Sequence, residues 1–339
     1  MFEVIDEEYE PVDALKDYDI KPRIPDEDYL APEVQIIRPQ WKFPVALFRN
    51  YRVDNQGLLD DCFKVDFEGC RITKIVKNPD DLKAVRDILA ENYRSLKDCY
   101  KHYSAIGAPS DIWSIPLNTF TELCNVSKII DNKILKLSDF DRIFIATYTK
   151  PADKEKNHRN PDRALVRHQF LEGLVRLAEH KYLSSGAATN YGESMKMLFD
   201  ECLGPFLANF NHNSWRQERY WNEEVDTVLK SYFPILRSVY RKYHGQKTLP
   251  GQKKFMCLEE FHRMVADANM NNDNCGERDA TLAFSLAMMT QVDELNSDRI
   301  YQMQFVEFVE ALSRVADKFS AHPYGWNPIN PITGQQEVL

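Results

Sequence analysis

Asn296, Asp298 and Glu307 put side-chain oxygens at positions 1, 3 and 12 of one twelve-residue stretch. That is the spacing with which a loop wraps a calcium ion, the last position supplying a bidentate carboxylate. The rest of the pattern departs: Ile300 stands at position 5, and Tyr301 where the sharp turn needs glycine. NNDNCG at 271–276 looks like another such loop, but Cys275 would fall at its fifth position and Leu282 at its twelfth. It is read as a linker ending in a helix start. The remaining reactive side chains form no constellation. The eight histidines are scattered, and His168 and His180, on one predicted helix, stand twelve residues apart. The seven cysteines include no CxxC pair, so neither a zinc site nor a disulfide framework is indicated, and reduced thiols are expected. Cys99 and Cys124 fall on core-facing helix positions, where a thiol acts as a small apolar group. No nucleotide-binding, zinc-protease or nucleophile-elbow motif occurs, and a chain with 12 glycines holds no glycine-rich phosphate cradle. The expectation is a protein that is not an enzyme and needs no cofactor.

The elements that position these residues follow from pattern and charge. A chain of 339 residues has room for two domains plus tails. No apolar run approaches the ~18–20 residues of a membrane helix. MFEVIDEEYEPVD has neither a basic nor an apolar signal region, so no secretory leader and a cytoplasmic location are expected. Net charge is −9, and residues 1–30 alone carry −8 through eleven acids and three bases. The near-neutral remainder suggests no basic face for nucleic acid. Residues 1–44, punctuated by six prolines, read as an extended acidic arm. Residues 45–80 place β-formers around DNQG and DFEG, which predicts a small hairpin near 45–77. From Asn78–Pro79 onward the pattern is helical, with one long helix expected to end near Gly107.

The chain repeats itself. Val85, Leu89, Leu96, Tyr100 and Tyr103 recur as Val225, Leu229, Leu236, Tyr240 and Tyr243, at an offset of 140. IPLNTFTELC meets MCLEEFHRMV at 141, SDFDRIFIAT meets RDATLAFSLA at 140, and FLEGLVRLAE meets FVEALSRVAD at 138. In the last block Glu172 and Arg176 fall on Glu310 and Arg314. Four blocks in one order define two units, 81–182 and 225–320, joined by a connector 183–224 and followed by a tail 321–339.

In each unit an aliphatic residue precedes a phenylalanine by five positions: Ile115 and Phe120, Leu165 and Phe170, Met256 and Phe261, Met303 and Phe308. This resembles the EF-hand pair, in which the aliphatic residue at loop position 8 joins two loops in a short β-bridge and a phenylalanine follows the position-12 carboxylate. FLEGLVRLA and FVEALSRVA look like exiting helices of that family. The resemblance implies a mainly α fold of two EF-hand-like four-helix units. Aligned so, the loops are 108–119, 158–169, 249–260 and 296–307. The first offers Ala108, Ser110, Ile112 and Thr119 as ligands, and the second has Arg163 in place of glycine and Gln169 at its end. In the third only Glu260 fits, so the only metal candidates are the weak set Asn296, Asp298 and Glu307. No calcium and no other metal is expected. Tandem degenerate EF-hand pairs with a Pro/Tyr arm are similar to scaffold proteins of the ciliary and flagellar axoneme. That implies a cytoskeletal, microtubule-associated location, tubulin or other axonemal proteins as partners, and no membrane. Partner contacts are expected from Trp41, Trp215, Trp221, Tyr324 and Trp326, since tryptophan anchors dominate interfaces. The alternative is a calcium-responsive regulator using 296–307. It expects a calcium-induced change in tryptophan fluorescence that Glu307→Gln abolishes.

Overall fold

The computed structural model describes residues 40–107, 112–148, 163–246, 248, 251 and 253–319. A compact unit begins at Trp41. Among the described residues it is built from helices, with one two-stranded antiparallel ladder.

The first repeat consists of α3 (Pro79–Glu91), α4 (Tyr93–Gly107), β1 (Ile115–Pro116), α5 (Leu117–Val126), α6 (Leu137–Tyr148), β2 (Ala164–Leu165) and α7 (Arg167–Ala178). The second consists of α11 (Glu223–Ser231), α12 (Phe233–Tyr243), α13 (Leu258–Asp267), α14 (Glu277–Ala287) and α15 (Phe305–Lys318). The expected single long helix is two, because Asn92 interrupts it. Tyr232 interrupts the second repeat at the matching place. Both residues adopt the same backbone, φ −96° with ψ 5° in one and φ −96° with ψ 7° in the other. Pro234 just past the second break lacks the N–H that an unbroken helix would need.

Ile115 pairs with Leu165, and Met256 with Met303 through two hydrogen bonds of 3.0–3.1 Å. These are the four aliphatic positions that the sequence singles out. Phe120, Phe170, Phe261 and Phe308 are each the fourth residue of their helix and fully buried. Phe120 meets Phe170 edge-on at 6.0 Å. Cys99 and Cys124 are buried beside them in the core of the first repeat.

The hairpin expected near 45–77 is not formed. Residues 56–69 are a helix, α1 (Gln56–Gly69), followed by a single turn, α2 (Ile72–Ile75). Asn55, read as a turn residue, caps α1 by accepting from the Leu58 amide at 2.8 Å. Leu59, Cys62, Phe63 and Asp66 are buried at helical spacing, a period hidden by the β-branched residues around it.

Residues 41–54, expected to be arm and first strand, instead form a strap across the second repeat. The Trp41 indole donates to Asp226 at 2.9 Å, the Leu47 amide donates to the same carboxylate at 2.8 Å, and Arg52 donates to the Thr290 carbonyl. The connector holds α8 (Tyr191–Leu198), α9 (Gly204–Leu207) and α10 (His212–Trp215), with π-helical turns at Phe199–Leu203 and Arg216–Tyr220. The two repeats pack together, α4 of the first against α14 of the second.

Candidate functional site

The fourth loop sets its candidate ligands apart. Asn296 is exposed and turned to Asp293, its side-chain amide donating to that carboxylate at 2.7 Å. Asp298 is exposed at the start of a 3-10 turn, Asp298–Tyr301. Glu307 is fully buried in the first turn of α15. Its Oε2 accepts from the Gln304 amide at 2.7 Å, and its Oε1 from the Met289 amide at 2.8 Å and the Arg299 guanidinium at 2.7 Å. Burial pushes this carboxyl above its ordinary value, against the pull of Arg299. A divalent cation would have to displace a guanidinium from inside the same loop.

Two other loops end in the same way. Glu260 accepts from the Cys257 amide at 2.9 Å and the Gln246 amide at 2.6 Å, and the Gln169 side chain accepts from the Val166 amide at 3.2 Å. The last loop position thus serves as the third helical residue reaching back to the helix start, a capping device that ties up an orphan amide. Residues 108–111 and 158–162 lie outside the described residues, so those ligand positions are not placed. Among the described residues no group of three or more His, Cys, Asp or Glu side chains is arranged to hold a metal ion.

The strongest polar feature is one that sequence reasoning missed. Glu172 on α7 is buried and accepts from Arg176 one turn later, at 2.9 Å, and from Arg71, at 2.9 Å. Arg71 also donates to the Ala146 carbonyl at 2.8 Å. Glu310 on α15 is buried likewise, between Arg314 at 2.9 Å and Arg216 at 2.8 Å. Arg216 also donates to the Leu286 carbonyl at 2.7 Å. Ala146 and Leu286 are repeat equivalents at the 140-residue offset. The signal was present as the matched Glu–Arg pairs in FLEGLVRLA and FVEALSRVA. The incoming arginines lie outside the matched blocks and carried no such sign.

A second ion-pair layer joins the repeats. Lys97 is buried between Asp54 at 2.8 Å and Asp98 at 2.7 Å, and the Thr290 hydroxyl donates to Asp54 at 3.0 Å. Burial raises the Asp54 carboxyl, but Lys97 and Lys101 more than reverse this and hold it down at about 2. Burial, with Lys97 and Arg216 nearby, lowers Lys101 to about 8. Arg167 donates to Asp66 at 2.6 Å, to Glu294 at 2.8 Å and to the Val292 carbonyl at 2.8 Å. The cavity in this layer, lined by Asp54, Lys97, Lys101, His212 and Arg216, measures about 20 Å³, room for a single water.

Three of the expected tryptophan anchors, Trp41, Trp215 and Trp221, pack on their own chain. Trp41, Phe43, Trp215 and Trp221 surround Phe48 and buried Tyr220 in a satellite cluster. The Trp215 indole donates to Asp317 at 2.9 Å, and the Arg314 guanidinium lies 4.0 Å over its ring. Tyr324 and Trp326 lie outside the described residues. Among the described residues, exposed apolar side chains gather around the junction of α11 and α12: Val228 is 55%, Tyr232 57%, Phe233 38% and Ile235 60% exposed.

No family model matches the chain, and no curated protein matches it significantly. Among the described residues no helix is long and apolar enough to cross a membrane.

Proposed function

We propose that the chain is a non-catalytic, calcium-independent docking scaffold built from two EF-hand-like units. The observation that carries this reading is the 2.7 Å pair of Arg299 with Glu307. In a calcium sensor the last-position carboxylate is free to take the ion, and binding opens the helix pair. Here the same carboxylate is filled by a cation of its own loop and by two backbone amides, so the switch has a permanent occupant. The placement in the ciliary axoneme, with tubulin or neighbouring axonemal proteins as partners, rests on the resemblance drawn from the sequence.

Isothermal titration of the full chain with calcium, magnesium present, tests the first part. No heat is expected. Binding in the range of about 10⁻⁷–10⁻⁵ M, lost in Glu307→Gln, would replace the scaffold by a calcium-responsive regulator. Co-sedimentation with microtubules and localisation of a tagged chain in ciliated cells test the second part. A diffuse cytoplasmic signal without microtubule binding overturns it.

A further inference from the structure

We infer that the exposed face of α11–α12 is a docking site for an acidic amphipathic helix of another protein. The juxtaposition behind this is the internal repeat, which shows the same face once covered and once bare.

In the first repeat the outer face of α3 is closed by α8. The approach is tight: a Cβ on Gly192 of α8 would stand 2.8 Å from the Cβ of Ala84 on α3. Tyr191, Met195 and Leu198 of α8 pack into that core, with Ile88 of α3 half-buried against it. At the 140-residue offset Ala84 and Ile88 become Glu224 and Val228, while Tyr93, buried against Phe63 of α1, becomes Phe233. Val228 lies near the end of α11, Tyr232 is the break, and Phe233 and Ile235 open α12, so the exposed apolar side chains gather around the junction of the two helices. Among the described residues ten large apolar side chains are exposed, and four of them lie between Val228 and Ile235. Singly exposed apolar residues are ordinary, whereas a contiguous patch marks an interaction surface. Val45 of the strap, also exposed, adjoins it through a 3.0 Å bond from Lys230 to the Val45 carbonyl.

Length and charge specify the occupant. Val228 and Ile235 stand seven residues apart across the junction, at most about 10 Å of helical rise, so about two turns of a covering helix would reach across the patch. Its C-terminal half is flanked by Arg237, Arg241 and Lys242, and its start by Glu223 and Glu224. A covering helix therefore carries acids at the end that lies over α12. Helix-in-groove recognition of this kind is read through anchors at i, i+3, i+4 and i+7. The chain supplies a natural probe, because α8 packs on α3, the counterpart of α11, and the segment Asn190–Leu203 that holds it carries a net charge of −2. The inference extends the docking reading, but its test does not pass through the calcium loops, so either can fail alone.

The experiment titrates a fluorescein-labelled peptide of the 190–203 sequence against the full chain, followed by anisotropy. Saturable binding is expected, weakened at least about tenfold in the double variant Val228→Glu, Ile235→Glu. All these side chains are exposed, so the fold is expected to persist, and circular dichroism checks it. A second variant, Arg241→Glu with Lys242→Glu, leaves the apolar patch intact and is expected to weaken binding as well. No binding up to about 1 mM, or binding that neither variant changes, overturns the proposal. A free chain that sediments as a dimer and becomes monomeric in Val228→Glu, Ile235→Glu overturns it in favour of a second copy. Faster hydrogen exchange in α11–α12 on removal of residues 320–339 overturns it in favour of the chain's own tail.

Discussion

Arg71 and Arg216 occupy corresponding places in the two halves of the molecule. Each donates to a buried glutamate, Glu172 or Glu310, and to the carbonyl of the equivalent residue Ala146 or Leu286. Each glutamate also holds the arginine one turn further along its own helix. The same triad of charges has therefore been kept in both repeats, although the arginines reach it from dissimilar segments, one after α1 and one in a π-helical turn.

Glu310→Ala should cost about 3–5 kcal/mol, because it strands two guanidinium groups in the interior. An exposed i,i+4 pair would cost well under 1 kcal/mol, so urea unfolding of the variant separates the two cases. A loss below that size would show that Arg216 finds other partners, Tyr51 and the Leu286 carbonyl being the nearest.

Glu307→Gln should destabilise the protein by about 3 kcal/mol while leaving it indifferent to calcium. The cause is the uncompensated Arg299, so the double variant with Arg299→Gln should recover part of the loss. Chemical denaturation with and without calcium reads both effects in one series.

Acid should weaken the fold in two stages. Burial pushes His168 down to about 4 and His212 to about 3, so both are neutral in the folded chain where an unfolded chain would take up protons. Their contribution is complete above pH ~6.5, the ordinary histidine value, and is lost as pH falls from there toward the folded values. Asp54, held at about 2, works in a lower window: its contribution is present above its ordinary value of 3.8 and lost as pH drops toward 2. Urea midpoints should fall between pH ~7.5 and ~5 in the wild type, and fall less in His168→Gln with His212→Gln.

Gly192→Ala should loosen α8 from α3, since the added methyl meets Ala84 at 2.8 Å. A cost of about 1–3 kcal/mol is expected from such overpacking. Hydrogen exchange should locate the change in α3 and α8. Unchanged exchange there would mean that the backbone gives way without loss of packing.

The repeat was legible because the residues that build the two cores sit at matching offsets. Ile115, Leu165, Met256 and Met303 could be picked out before any geometry, and they are the residues that pair. The interruption at Asn92 was not legible, because apolar spacing continues through it, and only Pro234 in the second repeat hinted at a break. The hairpin near 45–77 failed for the opposite reason: β-formers flank DNQG and DFEG, which look like turns, while between them the burial of Leu59, Cys62 and Asp66 follows a helix. The arginine clamps depend on contacts 94–101 residues apart, which no local pattern records. Trp41, Trp215 and Trp221 looked like anchors for other proteins because their satellite core is assembled from three distant segments.

The strap has a consequence for how the protein is made. Trp41 is held by Asp226, 185 residues later in the chain. During synthesis the strap leaves the ribosome early, and the surface that receives it follows only after the whole first repeat. At about 5–20 residues per second the wait is on the order of ten seconds or more. Phe43 and Phe48 must pass that interval with no native surface to cover them, which makes the nascent strap a natural client for a holding chaperone. Nor can the second repeat be cut out and expressed alone with its surface intact, since part of its cover is encoded ahead of the first.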